Sequence, residues 1–143
     1  MAIQTIGIIG AGTMGNGIAQ ACAVSGLNVV MIDISEAAVQ KGISTISASL
    51  DRLIKKEKIS ENDRDQALSR IKGSTDYASL KGLHMVIEAA TENYDIKIKI
   101  LKQIESLVDS NTIIATNTSS ISITQLASTI SNPERFIGMH FFN

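Results

Sequence analysis

Apolar residues along the chain follow two patterns, short continuous runs and longer stretches with one apolar face. Runs rich in Val and Ile are typical of strands buried on both sides, and apolar spacings of three and four residues indicate helices. The runs predict strands at 4–9, 28–32, 71–74, 83–89, 112–115 and 136–141. The longer stretches predict helices at 14–24, 35–56, 60–71, 94–107 and 121–130.

Regular alternation of strands and helices predicts an α/β fold built on a doubly wound parallel sheet. The two consecutive helices after the second strand interrupt that alternation, so residues 35–71 are predicted as a helical hairpin excursion. Ser35 is predicted as the N-cap of its first helix, and Ser60 begins the second. We interpret residues 1–143 as one domain.

Composition narrows the classes of function. The chain has 143 residues, 44% of them hydrophobic, enough to bury one core. A net charge of −1 and 3% aromatic residues favour neither nucleic-acid nor membrane binding. The single cysteine, Cys22, excludes an intrachain disulfide framework and a cysteine-based zinc site. No stretch approaches the roughly 18 apolar residues of a membrane span. We therefore expect a cytoplasmic protein without a metal.

A glycine pattern follows the first predicted strand. Residues 10–15 read G-x-G-x-x-G and open the first predicted helix, and Asp33 ends the second predicted strand. In this context the pattern is the dinucleotide fingerprint of a Rossmann domain, with the diphosphate at the helix N-terminus and the carboxylate on the adenosine ribose. The predicted cofactor contacts here are Gly10, Ala11, Gly12, Thr13, Met14, Gly15 and Asp33.

Asp33 also bears on which dinucleotide is bound. Its carboxylate would repel a 2′-phosphate, and neither Arg nor Lys occurs in the next three residues, so NAD is favoured over NADP. The alternative interpretation is that the glycines only make a tight turn and that Asp33 caps the following helix.

Three further motifs resemble the 3-hydroxyacyl-CoA dehydrogenase family along the whole chain. They are VIEAATEN at 86–93, ATNTSS at 115–120 and GMHFFN at 138–143. The resemblance implies that the family's separate helical C-terminal domain is absent from this chain. It also implies that the full-length form is a homo-oligomer through that domain.

The resemblance assigns reaction roles to three residues. His140 matches the catalytic acid/base, and an imidazole that titrates near neutrality suits proton exchange with a hydroxyl group. Ser119 matches the serine that contacts the substrate 3-oxygen, and Asn117 accompanies it. Other interpretations are a histidine in simple packing, a helix cap at Thr118, Ser119 or Ser120, and a structural turn at Asn117.

The same resemblance assigns ligand contacts elsewhere. Glu92, Lys97 and Asn143 match contacts to the nicotinamide end of the cofactor, and Ser49 and Lys56 match contacts to coenzyme A. Without the resemblance, Glu92, Lys97 and the charges of the excursion would be interpreted as solvated helix faces.

The expected function is NAD-dependent oxidation or reduction of a short-chain (3S)-3-hydroxyacyl-CoA by direct hydride transfer. We expect this chain to bind NAD but to turn over poorly, because the family's glutamate partner of the catalytic histidine lies beyond Asn143. The alternatives are another Rossmann dehydrogenase, acting on a hydroxy acid or sugar acid, and a nucleotide-binding module without chemistry.

Overall fold

The computed structural model describes residues 2–118 and 121–141. The strands are β1 Thr5–Ile9, β2 Asn28–Ile32, β3 Ile71–Ser74, β4 Met85–Glu88, β5 Ile113–Asn117 and β6 Phe136–Met139. The helices are α1 Thr13–Val24, α2 Glu36–Lys55, α3 Glu61–Ser69, α4 Tyr94–Leu107 and α5 Ile123–Ala127. Short 3-10 helices lie at Tyr77–Leu80 and Pro133–Arg135.

The six strands form one parallel sheet in the order β3-β2-β1-β4-β5-β6. The chain starts in the middle, adds strands on one side, and then crosses over to add the other three beyond β1. Strand order therefore reverses between β1 and β4, and in open α/β sheets ligands bind in the crevice at that point. The predicted doubly wound fold is confirmed.

Successive strand residues point to opposite faces of the sheet and feed two cores. Ile8 and Met31 join one buried cluster, which α1, α2 and α3 cover. Ile9 and Ile32 join the other, which α4, α5 and the first 3-10 helix cover. Both faces of the sheet are thus buried, which explains why the strands read as continuous apolar runs.

The helical excursion is confirmed, and polar side chains fix its ends. The Ser35 hydroxyl accepts a hydrogen bond from the Ala38 amide at the start of α2. Ser60 and Asp63 form a reciprocal capping box at the start of α3, and these hydrogen bonds lower the pKa of Asp63. The carboxylate of Asp51 pairs with Arg64, which joins the two helices.

The predicted element ends are wrong in the last third of the chain. Helix α5 begins at Ile123, because the Ser122 hydroxyl accepts from the Gln125 amide and caps it there, and it ends at Ala127 with Ser128 as its C-cap. The alternative interpretation put this cap at Thr118, Ser119 or Ser120; the N-cap of α5 is Ser122 rather than Thr118, and Ser119 and Ser120 fall outside the described residues. Strand β6 ends at Met139 rather than at residue 141, because its partner β5 ends at Asn117 in register with Met139.

Candidate functional site

A cleft of about 370 Å³ opens where β1 and β4 diverge, at the carboxyl end of the sheet. One wall comes from residues 10–15 and Asp33, and we call it the glycine-loop wall. The other comes from residues 88–92, Lys97 and residues 116–118, and we call it the opposite wall. The lining residues are Gly10, Gly12, Thr13, Met14, Asp33, Ala89, Ala90, Thr91, Glu92 and Asn117.

The glycines of the glycine-loop wall have distinct tasks. Gly10 has φ +110°, and a Cβ there would lie 2.8 Å from the Ala89 carbonyl oxygen, so this turn allows the two walls to meet. A Cβ on Gly15 would lie 1.7 Å from the Gly10 carbonyl oxygen. Gly12 differs, because a Cβ there meets nothing within 4 Å. The open space beside Gly12 therefore fits a bound group rather than a protein neighbour.

Helix α1 begins at this open space. Gly12 is its N-cap, without a side-chain cap, and no acidic residue lies in the first turn. First-turn amides of an α-helix have no partner within the helix, and the helix dipole adds partial positive charge there. This donor set fits a diphosphate without any basic side chain.

Asp33 follows β2 and links the parts of the glycine-loop wall. Its Oδ2 accepts from the Ala11 amide at 2.8 Å, and its Oδ1 accepts from the Ile34 amide at 2.6 Å. Each carboxylate oxygen keeps acceptor capacity for a ligand hydroxyl. Asp33 also lines a second cavity of about 250 Å³, which includes Lys41 and Thr45 on α2. The carboxylate is thus fixed between two cavities rather than used as a helix cap.

The opposite wall rests on a buried ion pair. Glu88 and Lys97 are both 0% exposed and their charged groups bond to each other. Thr116 donates to Glu88 Oε1 at 2.6 Å, and Lys97 Nζ donates to Thr116 Oγ1 at 3.1 Å. Lys97 is therefore not a solvated charge on α4. Its ammonium lies behind the cleft surface.

Two residues of the ATNTSS motif lie at the end of β5. Asn117 is 9% exposed, and its Oδ1 is buried with no hydrogen-bond partner among residues 2–118 and 121–141. Thr118 donates from Oγ1 to Glu92 Oε2 at 2.6 Å and accepts from the Ile121 amide. The Glu92 carboxylate is thereby held at the cleft rim. Ser119 falls outside the described residues.

His140 follows the last strand. The register of β5 and β6 pairs Asn117 with Met139, so His140 emerges beside Thr118 at the same sheet edge as the cleft. Its side chain is exposed. The structure thus brings His140 to the carboxyl end of the sheet, where Asn117 and Glu92 also lie. Asn143 falls outside the described residues.

The two residues matched to coenzyme A lie on α2. Ser49 is half-buried, and Lys56 is exposed at the C-cap of the helix. Seven residues separate them, which is about two turns, so they share one helix face. They lie on the excursion rather than on either wall of the cleft.

Three residues near the cleft were missed by the sequence reasoning. Glu88 sits within a predicted strand run that indicates only burial, and Thr116 follows the strand predicted at 112–115. A signal existed in Lys97, which occupies the apolar stripe of α4 with Leu101 and Ile104 and needs a buried acid as partner. Ile34 is the third: its amide donates to Asp33, and its side chain is 96% exposed beside that carboxylate.

The pKa of Tyr77, on the first 3-10 helix, is affected by charges from both walls of the cleft. Burial, followed by the nearby charges of Glu88 and then Asp33, raises the pKa of this phenol. The carboxylates of the two walls therefore act on one half-buried side chain.

Two searches of residues 2–118 and 121–141 concern other classes of site. No group of three His, Cys, Asp or Glu in this part of the chain is placed to hold a metal ion. None of its helices has both the length and the apolar character needed to cross a membrane.

The amino-acid sequence of the chain matches a known protein family. A sequence model described as the 3-hydroxyacyl-CoA dehydrogenase, NAD binding domain, matches residues 5–143. The chain is 42% identical to a 3-hydroxybutyryl-CoA dehydrogenase of Bradyrhizobium diazoefficiens over 99% of its own length and 48% of the relative.

A solved structure gives a similar picture. The chain matches (S)-3-hydroxybutyryl-CoA dehydrogenase from Ralstonia eutropha with a TM-score of 0.97 and 70% identity, over 99% of this chain and 50% of that one. A 3-hydroxybutyryl-CoA dehydrogenase of Clostridioides difficile is 38% identical over 96% of this chain. The chain spans about half the length of these relatives.

Proposed function

The chain belongs to the 3-hydroxyacyl-CoA dehydrogenase family, and we propose that it is the cofactor-binding part of an NAD-dependent 3-hydroxyacyl-CoA dehydrogenase. The single observation that carries the proposal is the open space at Gly12, between the N-terminus of α1 and Asp33. A diphosphate fits the helix N-terminus and a ribose fits the carboxylate.

NAD rather than NADP is the proposed cofactor. A 2′-phosphate would meet the Asp33 carboxylate, which is fixed by two backbone amides. One feature could favour NADP: Lys41 lines the adjoining cavity, and its ammonium is a cation that could pair with a 2′-phosphate. NADPH is therefore the informative competitor, and we expect NADH to bind more tightly than NADPH.

The proposed reaction interconverts a (3S)-3-hydroxyacyl-CoA and its 3-oxo form, with 3-hydroxybutyryl-CoA and acetoacetyl-CoA as the expected pair. A bound nicotinamide would supply the hydride-transfer chemistry. His140 takes the hydroxyl proton as the alcohol is oxidised and returns it on reduction. The Ser119 hydroxyl contacts the 3-oxygen, and Asn117 completes that side of the site. Glu92 and Asn143 would contact the nicotinamide end of the cofactor.

Coenzyme A is proposed to bind along the excursion. Ser49 and the Lys56 ammonium contact it, and a cation there suits its phosphate groups. In the whole protein we propose that a further helical domain closes the acyl cleft and forms the homo-oligomer.

The activity test compares this chain with the whole protein. NADH oxidation is followed with acetoacetyl-CoA and with free acetoacetate. The proposal expects activity of the whole protein with the thioester only, and slow turnover by this chain despite NADH binding. Preference for free acetoacetate would favour a hydroxy-acid dehydrogenase, and NADH binding without turnover of either would favour a binding module. Near-normal turnover by this chain would contradict its proposed role as a binding part.

A further inference from the structure

Strand β6, which His140 follows directly, is a short edge strand. Among the described residues β5 is the strand that pairs with it. Helix α5 packs on it, since a Cβ on Gly138 would lie 2.6 Å from the Ile123 side chain, but that helix has only five residues. A short strand with hydrogen bonds to one neighbour opens locally more easily than a central strand. The placement of His140 therefore depends on what anchors the other end of β6.

The segment before β6 is anchored to helix α4 by a carboxylate. Glu105 Oε1 accepts from the Ser131 amide and Oε2 accepts from the Asn132 amide, each at 3.1 Å. Hydrogen bonds to an ionised acceptor are stronger than those between neutral groups. The Glu105 side chain is 14% exposed, so this carboxylate is largely withdrawn from water. Both of its oxygens are thus used to bind the chain just ahead of β6.

Arg135 is the second anchor of the same segment. Its Nη1 donates to the Asp109 carbonyl oxygen just after α4, and its Nη2 lies 3.9 Å from Glu105 Oε2. The side chain is 9% exposed, and its Nε is buried with no hydrogen-bond partner in the described part of the chain. A buried N–H without a partner costs free energy, which an apolar side chain would avoid. The guanidinium is therefore explained by what its other nitrogens bind. We call Glu105 and Arg135 the β6 clamp.

The β6 clamp and His140 lie at opposite ends of one strand. A short turn joins α4 to β5, so the clamp is at the amino end of the sheet, and β6 spans about 13 Å from there. Phe136 directly follows Arg135, is 7% exposed, and pairs with Ile114. Fixing this start of β6 also fixes the level at which His140 leaves the strand beside Thr118.

We propose that Glu105 and Arg135 are positioning residues for His140, which they hold at the level of the cleft by anchoring the amino end of β6. The inference rests on the proposed function, because it takes His140 as the acid/base of the reaction. Proton transfer needs its groups within hydrogen-bond reach, and a displacement of about 1 Å can lower a rate about a hundredfold. The clamp acts from the far end of the strand, away from cofactor and substrate.

The first test measures whether the clamp anchors β6. Glu105→Leu/Arg135→Met removes both halves together, so no lone charge is left in a largely buried place. Amide hydrogen exchange is measured in this chain, residue by residue. Exchange should become about tenfold faster in β6, the scale of one lost hydrogen bond, and should stay within about twofold in β1.

The second test measures whether the anchored strand matters for the reaction. Reduction of acetoacetyl-CoA by the whole protein is followed with NADH and with NADH deuterated at the nicotinamide C4. In the double variant kcat should fall about tenfold, while the dissociation constant of NADH stays within about twofold. The deuterium isotope effect on kcat should rise, because a displaced His140 slows the chemical step. A loss of folded enzyme would lower kcat without changing the isotope effect.

Two further variants accompany the double variant. Arg135→Lys keeps a cation that can donate to the Asp109 carbonyl oxygen, so it should recover part of kcat and part of the protection from exchange. Glu134→Gln removes an exposed charge from the same segment and should change none of these quantities.

Each contrary result has a distinct meaning. Unchanged exchange in β6, or an unchanged kcat despite faster exchange there, would overturn the positioning role. A lower kcat with an unchanged isotope effect, or loss of cooperative unfolding in both the double variant and Arg135→Lys, would assign the clamp to stability and overturn it as well. If His140→Gln leaves turnover by the whole protein unchanged, the proposed function itself fails, whatever the exchange of β6 shows.

Discussion

The two walls of the cleft are built in different ways. The glycine-loop wall comes from one turn and one strand end, and backbone amides make most of its contacts. The opposite wall is assembled from β4, α4 and β5, and buried side chains hold it together. The first wall has no room for an added atom at Gly10 and Gly15, whereas the second depends on balanced charge. Substitutions should therefore damage them through different physical causes.

Removal of one charge should have the largest effect, on the opposite wall. Lys97→Met leaves the Glu88 carboxylate buried without its cation, which should lower the free energy of unfolding by about 3–5 kcal/mol. Urea denaturation measures the change, with Lys99→Met as the exposed control. If Lys97→Met lowers the free energy of unfolding no more than Lys99→Met does, the Glu88 carboxylate does not need Lys97 as its buried counterion.

An added methyl should have the next largest effect, on the glycine-loop wall. Gly15→Ala places a Cβ 1.7 Å from the Gly10 carbonyl oxygen, and backbone must move to relieve the overlap. We expect destabilisation of about 3 kcal/mol, the upper end for overpacking, together with loss of NADH binding. Thermal unfolding and NADH fluorescence measure the two effects. A variant with unaltered stability and binding would refute the tight turn.

The same methyl at Gly12 should act on the ligand alone. Gly12 has φ −72° and open space at the Cβ position, so Gly12→Ala should leave the unfolding temperature unchanged. The methyl would occupy the diphosphate position, and the dissociation constant of NADH should rise at least about tenfold, or 1.4 kcal/mol. Unchanged NADH affinity would place the diphosphate elsewhere.

The smallest effect concerns Tyr77, which reports on both walls. Its pKa is raised by burial, then by Glu88 and Asp33. The unfolded phenol titrates near pH 10, so this contribution to stability is present below about pH 10 and is lost as pH rises through the higher folded pKa. Tyr77→Phe should flatten the decline in stability above pH 10.

The raised pKa of Tyr77 is checked by following tyrosinate absorbance during a titration to alkaline pH. The chain has two tyrosines, and Tyr77→Phe should remove the component that ionises late. Glu88→Gln and Asp33→Asn should each lower the pKa of Tyr77. A late component that persists in Tyr77→Phe would contradict the assignment.

Local patterns predicted where the residues of the glycine-loop wall lie in the fold. Gly10, Gly12 and Gly15 act within six consecutive residues, and Asp33 ends a clear strand, so spacing alone places them. The opposite wall could not be predicted in this way, because Glu88, Lys97 and Thr116 meet only once the sheet has formed. Only the family resemblance pointed to Lys97, and it did not predict that this lysine is buried.

The fold shows the same division. The doubly wound parallel sheet was predicted from the alternation of long, regular elements, whereas α5 and β6 were assigned the wrong ends. A five-residue helix gives little periodic signal, and the end of an edge strand is set by its partner. Ser122 shows why, since several hydroxyl residues in succession offer equivalent caps and tertiary contacts select one.

The central claim is that the glycine-loop wall binds the adenosine diphosphate part of a nicotinamide dinucleotide. The most direct test is an amide NMR titration of this chain with ADP-ribose. The account predicts saturable shifts that are largest at Ala11, Gly12, Thr13 and Ile34, and their loss in Gly12→Ala. Shifts centred on the helical excursion or at the opposite end of the sheet, or none at saturating ligand, would contradict it.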